Sequence, residues 1–142
     1  EVIAVLLAAF SFWITLNIIL AVIILSILFN QLYLWWRGKK VAKLLENDDF
    51  KAGMHKAQII DLREKSNFDS GHILGARNMP FSQFKVLRGS LRKDMPIYLY
   101  DQGKALSIRA AAQLYKLGYR ELYILKDGFE RWDGKTKKQD NY

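Results

Sequence analysis

Within seven positions, Asp101, Gln102, Gly103, Lys104, Ala105, Leu106 and Ser107 bring together a carboxylate, an ammonium and a hydroxyl. Ahead of them, Ile97 to Tyr100 is a short apolar, aromatic run that predicts a buried strand; behind them, Ala105 to Leu117 has helical spacing. In a strand–loop–helix unit the loop amides and the positive N-terminal end of the helix converge, and together they form an anion cradle. Because the first loop residue is Asp101, the cradle is expected to hold its own carboxylate, accepting loop amides and favoured by the helix dipole. Lys104, the one cation in the loop, either neutralises Asp101 or is solvated. Ser107 reads as a first-turn helix residue, and with no base placed beside it a serine nucleophile is not expected.

A second group stands at the end of another predicted strand, Ala57 to Leu62, which runs into Asp61-Leu62-Arg63. Ligands of open α/β sheets gather at the carboxyl ends of strands, so Asp61 and Arg63 are candidate anion or structural contacts. Pairing of Arg63 with Asp61 or Asp101 is the plainer reading. An aspartyl nucleophile of phosphoryl transfer is a further reading of Asp101, but it ordinarily needs magnesium and more acidic ligands, and Asp61 is the other acidic candidate nearby. His72 is either a general base or part of a structural turn; His55 is isolated, and its spacing to His72 suggests no metal site. No metal or cofactor is expected. The 142 residues contain no cysteine, which removes disulfides, thiolate nucleophiles and zinc–thiolate sites from consideration.

The elements that must position these groups follow an apolar segment. From Val2 to Trp36, 35 consecutive residues carry no formal charge, and a membrane span needs about 20. The absence of a basic n-region and of a cleavage site argues for a retained single-pass anchor over residues 1–36. Trp13 and the group Tyr33, Trp35 and Trp36 are separated by about 33 Å of helix, so residues 13–36 are the expected bilayer-embedded part. Arg37, Lys39, Lys40 and Lys43 crowd the C-terminal flank and place the following domain in the cytoplasm, at the cell membrane, by the positive-inside rule. The same four charges can recruit anionic lipid. Thr15, Asn17, Ser26, Asn30 and Gln31 either mark a helix-packing face or bond to their own backbone.

After Arg37, which itself belongs to the basic group, the chain holds all 22 basic residues against 13 acidic ones, a formal +9 that suits an acidic partner. The basic residues are scattered without flanking aromatics, so nucleic acid is not expected. Residues 37–46 read as a basic linker in which Gly38 interrupts the helix; a short helix is expected over Phe50 to Met54 with Asn47, Asp48 and Asp49 as caps. Residues 135–142 read as a disordered basic tail, and Phe129 and Trp132 as core residues.

Between Asp61 and Pro80 the chain reads D-x-R, then Phe68, Gly71-His72-Ile73, Gly75-Ala76, Asn78 and Pro80. This run resembles the rhodanese signature D-x-R-x-x-x-x-[FY]-x-x-G-H-I-x-G-A-x-N-x-P. The likeness continues through Ile97 to Tyr119 and closes with Tyr123 to Trp132, covering roughly residues 47–134. It implies a parallel α/β sheet with helices on both faces, preceded here by one transmembrane helix. It also implies a sulfurtransferase loop, C-x-x-x-x-R, whose cysteine carries a persulfide. At the two ends of that loop this chain has Asp101 and Leu106, and the usual glycine is one place early, at Gly103. A carboxylate cannot carry a persulfide, so sulfur transfer by the family route is not expected of this polypeptide alone. The expected role is a binding or regulatory module with a protein or other acidic partner. The alternatives are a sulfurtransferase component that borrows a partner's cysteine, an aspartate-based phosphatase, or an anchor that is itself the functional part.

Overall fold

The structure, a computed structural model, describes residues 1–139, the side chains of residues 38–40 excepted. The chain divides into two units, Glu1–Arg37 and Gly38–Tyr142. The first consists of helix α1, Val2–Val41, as far as Arg37. Its apolar part, Val2–Arg37, is long and apolar enough to cross a membrane by length and composition. Thr15 Oγ1 donates to the Ser11 carbonyl at 2.8 Å and Asn17 Nδ2 to the Trp13 carbonyl at 2.7 Å, so these two polar side chains bond to their own backbone. Gly38 does not interrupt α1. A single glycine inside a helix costs about 1 kcal/mol.

The second unit is a five-stranded parallel sheet in the order β1-β6-β5-β2-β4, made of Lys43–Leu45, Leu122–Leu125, Ile97–Tyr100, Gln58–Asp61 and Arg77–Asn78. Helices α2 (Asn47–Gly53), α3 (Lys65–Ser70), α4 (Phe84–Leu87) and α5 (Ala105–Lys116) complete it, with a small antiparallel pair, β3 (His72–Ile73) and β7 (Thr136–Lys137). Strand side chains alternate between two cores. Ile60, Ile97, Leu99, Leu122 and Ile124 face Phe84 of α4 and Ala110, Ala111 and Leu114 of α5. Ile59, Tyr98, Tyr100 and Leu125 face Phe50 of α2, with Phe129 and Trp132 at the edge. This period-two division of nearly continuous apolar strands is what a sheet covered on both faces requires. One core is aliphatic and the other aromatic.

Four further expectations are revised. The linker of residues 37–46 contains the end of α1 and strand β1, which pairs Lys43, Leu44 and Leu45 with Tyr123, Ile124 and Leu125. A lysine and two leucines carry too short a pattern to reveal a strand whose partner lies about 80 positions away. Helix α2 starts at Asn47 instead of Phe50, with Asp48 and Asp49 in its first turn, where the helix dipole favours carboxylates. The tail is ordered at its start: β7 pairs with β3, and Gln139 N donates to the Asp69 carbonyl at 3.0 Å. Residues 140–142 lie outside the described residues. Phe129 and Trp132 are only half-buried, at the rim of the aromatic core.

Candidate functional site

Strand β5 delivers Asp101 to the carboxyl edge of the sheet, and α5 begins four residues later. The Asp101 side chain is buried, and both carboxylate oxygens are engaged: Oδ2 accepts the Leu106 amide at 3.2 Å and Oδ1 accepts the Ser107 hydroxyl at 2.5 Å. The expected self-filling of the cradle is therefore made by one amide and one hydroxyl of the first helical turn, which satisfies a donor that a helix start otherwise leaves open. Ser107, fully buried in the first turn of α5, is the second partner, a pairing with Asp101 that the sequence did not reveal. Lys104 is exposed and makes no ion pair with Asp101 among the described residues, so the solvated reading holds. Gln102, Gly103 and Ala105 are exposed too. Leu106 turns inward, half-buried against the aliphatic core.

The loop has a buttress that the sequence did not reveal. Asp101 and Gln102 carbonyls accept the amides of Phe129 at 2.9 Å and Glu130 at 3.3 Å. Gly128 has φ of 71°, and a Cβ there would overlap the carbonyl oxygens of Gln102 and Gly103. The Gly128-Phe129 turn thus presses directly against the loop, which only glycine permits.

Beside the loop, Asp61 and Arg63 form a buried pair. Arg63 Nη2 donates to Asp61 Oδ2 at 2.8 Å and Nε to Oδ1 at 3.2 Å, while the Arg63 amide donates to Oδ1 at 2.9 Å. Nη2 also donates to the Gly71 carbonyl at 2.7 Å, and the guanidinium lies over the Phe129 ring, 4.1 Å from its centroid. Of its two expected partners, Arg63 takes Asp61. Tyr100 lies below, its hydroxyl accepting the Ile73 amide at 3.1 Å; burial, then the Asp61 carboxylate, pushes its phenol far above the usual range.

The remaining motif residues make packing and hydrogen-bond contacts. His72 stacks on Phe68 with ring centroids 3.7 Å apart, and its Nδ1 donates to the Phe68 carbonyl at 2.8 Å, which holds it in a packed turn. Asn78 Nδ2 donates to the carbonyls of Asp61 at 3.2 Å and Arg63 at 2.9 Å. Among the described residues no group of three His, Asp or Glu side chains converges to hold a metal. A separate cavity of about 830 Å³ lies over the aromatic core, floored by Met54, Ile59, Leu74 and Trp132. His55 and the Lys51–Asp133 ion pair, 2.7 Å, also line it.

Chemically, the loop is a closed helix-capping arrangement. A carboxylate that already accepts two hydrogen bonds and is 4% exposed is placed to stabilise α5, and it is poorly presented to an incoming electrophile.

Comparisons with known proteins bear on the fold and the family. YqhL, an uncharacterized protein of Bacillus subtilis, is 43% identical over 121 residues, covering 85% of this chain and 96% of its own. The thiosulfate sulfurtransferase GlpE of Shewanella oneidensis is 32% identical over 75 residues, covering 53% of this chain and 74% of its own. The crystal structure of a rhodanese-related protein from Thermoplasma volcanium matches with a TM-score of 0.63 over 67% of this chain and 97% of its own, at 18% identity, a likeness of fold. The family model described as Rhodanese-like domain matches residues 46–135. With that match, the parallel sheet flanked by helices and the Asp61–Arg63 motif network, this chain belongs to the rhodanese-like family.

Proposed function

We propose that this chain is a membrane-anchored rhodanese-like domain that does not transfer sulfur and acts as a binding or regulatory module at the cytoplasmic face of the membrane. The observation that carries the reading is the Asp101 carboxylate, spent on Leu106 N and Ser107 Oγ at the position where the resemblance puts the family's nucleophile. No cysteine stands elsewhere in the 142 residues to take its place, and the opposite end of the loop is a core-facing leucine. The apolar helix supports the anchor, and Arg37, Lys39, Lys40 and Lys43 after it support the cytoplasmic orientation and contact with anionic lipid.

The test is thiosulfate-to-cyanide sulfur transfer by the full chain in detergent. The unaltered protein is expected to match a protein-free blank. Asp101→Cys, alone and with Leu106→Arg, is expected to gain turnover, because the fold and the loop length are kept. Turnover by the unaltered chain would sink the proposal. Protease access to the domain in vesicles of known sidedness tests the orientation.

A further inference from the structure

We propose that α1 associates with α1 of a second copy of this chain, in parallel, along a seam marked by Asn17 and Gln31. The inference rests on the membrane-anchored reading above. Thr15 settles its one hydroxyl donor on the Ser11 carbonyl of its own helix. An amide is different: it has two N–H donors and a carbonyl acceptor, and the helix supplies Asn17 with a partner for one donor only, the Trp13 carbonyl. In a lone helix the rest of that amide faces hydrocarbon, which offers it nothing.

Gln31 lies two heptads beyond Asn17 on the same continuous helix. That separation is about 21 Å along the axis with a drift of about 40° around it, so both amides fall on one face. A left-handed crossing of two such helices absorbs the drift. The same face carries Leu20, Ile24, Ile27 and Leu34, all exposed. Thr15 and Ser26 stand opposite, and Asn30 is about 100° around from Gln31. Two of the three amides in the span, Asn17 and Gln31, therefore fall on a seven-residue repeat, and Thr15, which satisfies itself, lies off it.

A second copy is the occupant this pattern fits. An amide is donor and acceptor at once, so a two-fold axis sets Asn17 against Asn17 and Gln31 against Gln31 with both needs met. All copies insert with the same orientation, which makes the pairing parallel.

The absence of native cysteine makes the test direct. Full-length chain carrying Ile24→Cys, at the centre of the seam, or Val22→Cys, on the opposite face, is reconstituted in phosphatidylcholine–phosphatidylglycerol vesicles at low protein density and oxidised with copper phenanthroline. Disulfide-linked dimer is expected from Ile24→Cys and not from Val22→Cys. Adding Asn17→Leu and Gln31→Leu to Ile24→Cys is expected to weaken association about tenfold. Equal crosslinking on both faces, or crosslinking indifferent to the two amides, overturns the seam. A chain that resists carbonate extraction yet stays monomeric overturns this proposal and leaves the anchored reading standing. A chain released by carbonate overturns both.

Discussion

The Ser107 hydroxyl donates to Asp101 Oδ1 at 2.5 Å with both side chains buried, so the residue that opens the loop is tied to the first turn of the helix that closes it. Asp101→Ala removes this bond and the one from Leu106 N, and is expected to destabilise the domain by about 1–2 kcal/mol. Ser107→Ala removes one bond and leaves one buried carboxylate oxygen without that donor, an expected loss of about 1 kcal/mol. Thermal melting of the full chain in detergent, followed by near-ultraviolet circular dichroism, reads both. An unchanged melting temperature in Asp101→Ala would show that the contact carries no stability.

The Asp61–Arg63 pair predicts a larger effect. Asp61 is fully buried, so Arg63→Ala leaves an uncompensated carboxylate and is expected to cost about 3–5 kcal/mol. Arg63→Lys is expected to recover little of it, because lysine supplies neither the two-point contact to Asp61 nor the flat group that lies over Phe129. Urea midpoints of the three proteins decide the order.

Gly128→Ala is expected to destabilise by about 1–3 kcal/mol, since alanine is strained at a φ of 71° and its methyl overlaps the carbonyls of Gln102 and Gly103. Faster amide hydrogen exchange at Phe129 and Glu130, whose amides hold the loop, is the expected signature. Wild-type exchange at those two amides would separate the turn from the loop.

Tyr100 predicts an alkaline limit. Its phenol is held above the usual range in the folded state by burial and by Asp61. The folded state therefore keeps the proton that the unfolded chain releases, so the stability is fully present below the ordinary phenol pKa of about 10 and falls as pH rises past it, at up to about 1.4 kcal/mol per pH unit. Tyr100→Phe is expected to lower stability at neutral pH, where the Ile73 amide loses its acceptor, and to flatten the alkaline decline. A decline equally steep in Tyr100→Phe would assign it to other groups.

Local pattern made much of this molecule legible. The strands at Ile59–Ile60 and Ile97–Tyr100 and the helix from Ala105 follow from apolar runs and period, and the motif from Asp61 to Pro80 located the Asp–Arg pair. Strand β1 was not legible: Lys43 to Leu45 form a strand only because β6 stands beside them. Likewise β7 exists through its pairing with β3, in a stretch whose polar composition reads as disorder.

By itself the sequence determined the fold class, the apolar first helix and the missing thiol, because hydrophobic period, run length and residue chemistry are local properties. Only the tertiary structure decided which groups meet. It chose Asp61 over Asp101 for Arg63, gave Asp101 the Ser107 hydroxyl, left Lys104 in solvent, and set Gly128 against the carbonyls of a loop 25 positions earlier. Those choices depend on which strand ends the parallel sheet lays side by side, and on buried polar groups taking the partner within reach, neither of which is written in the spacing of residues along the chain.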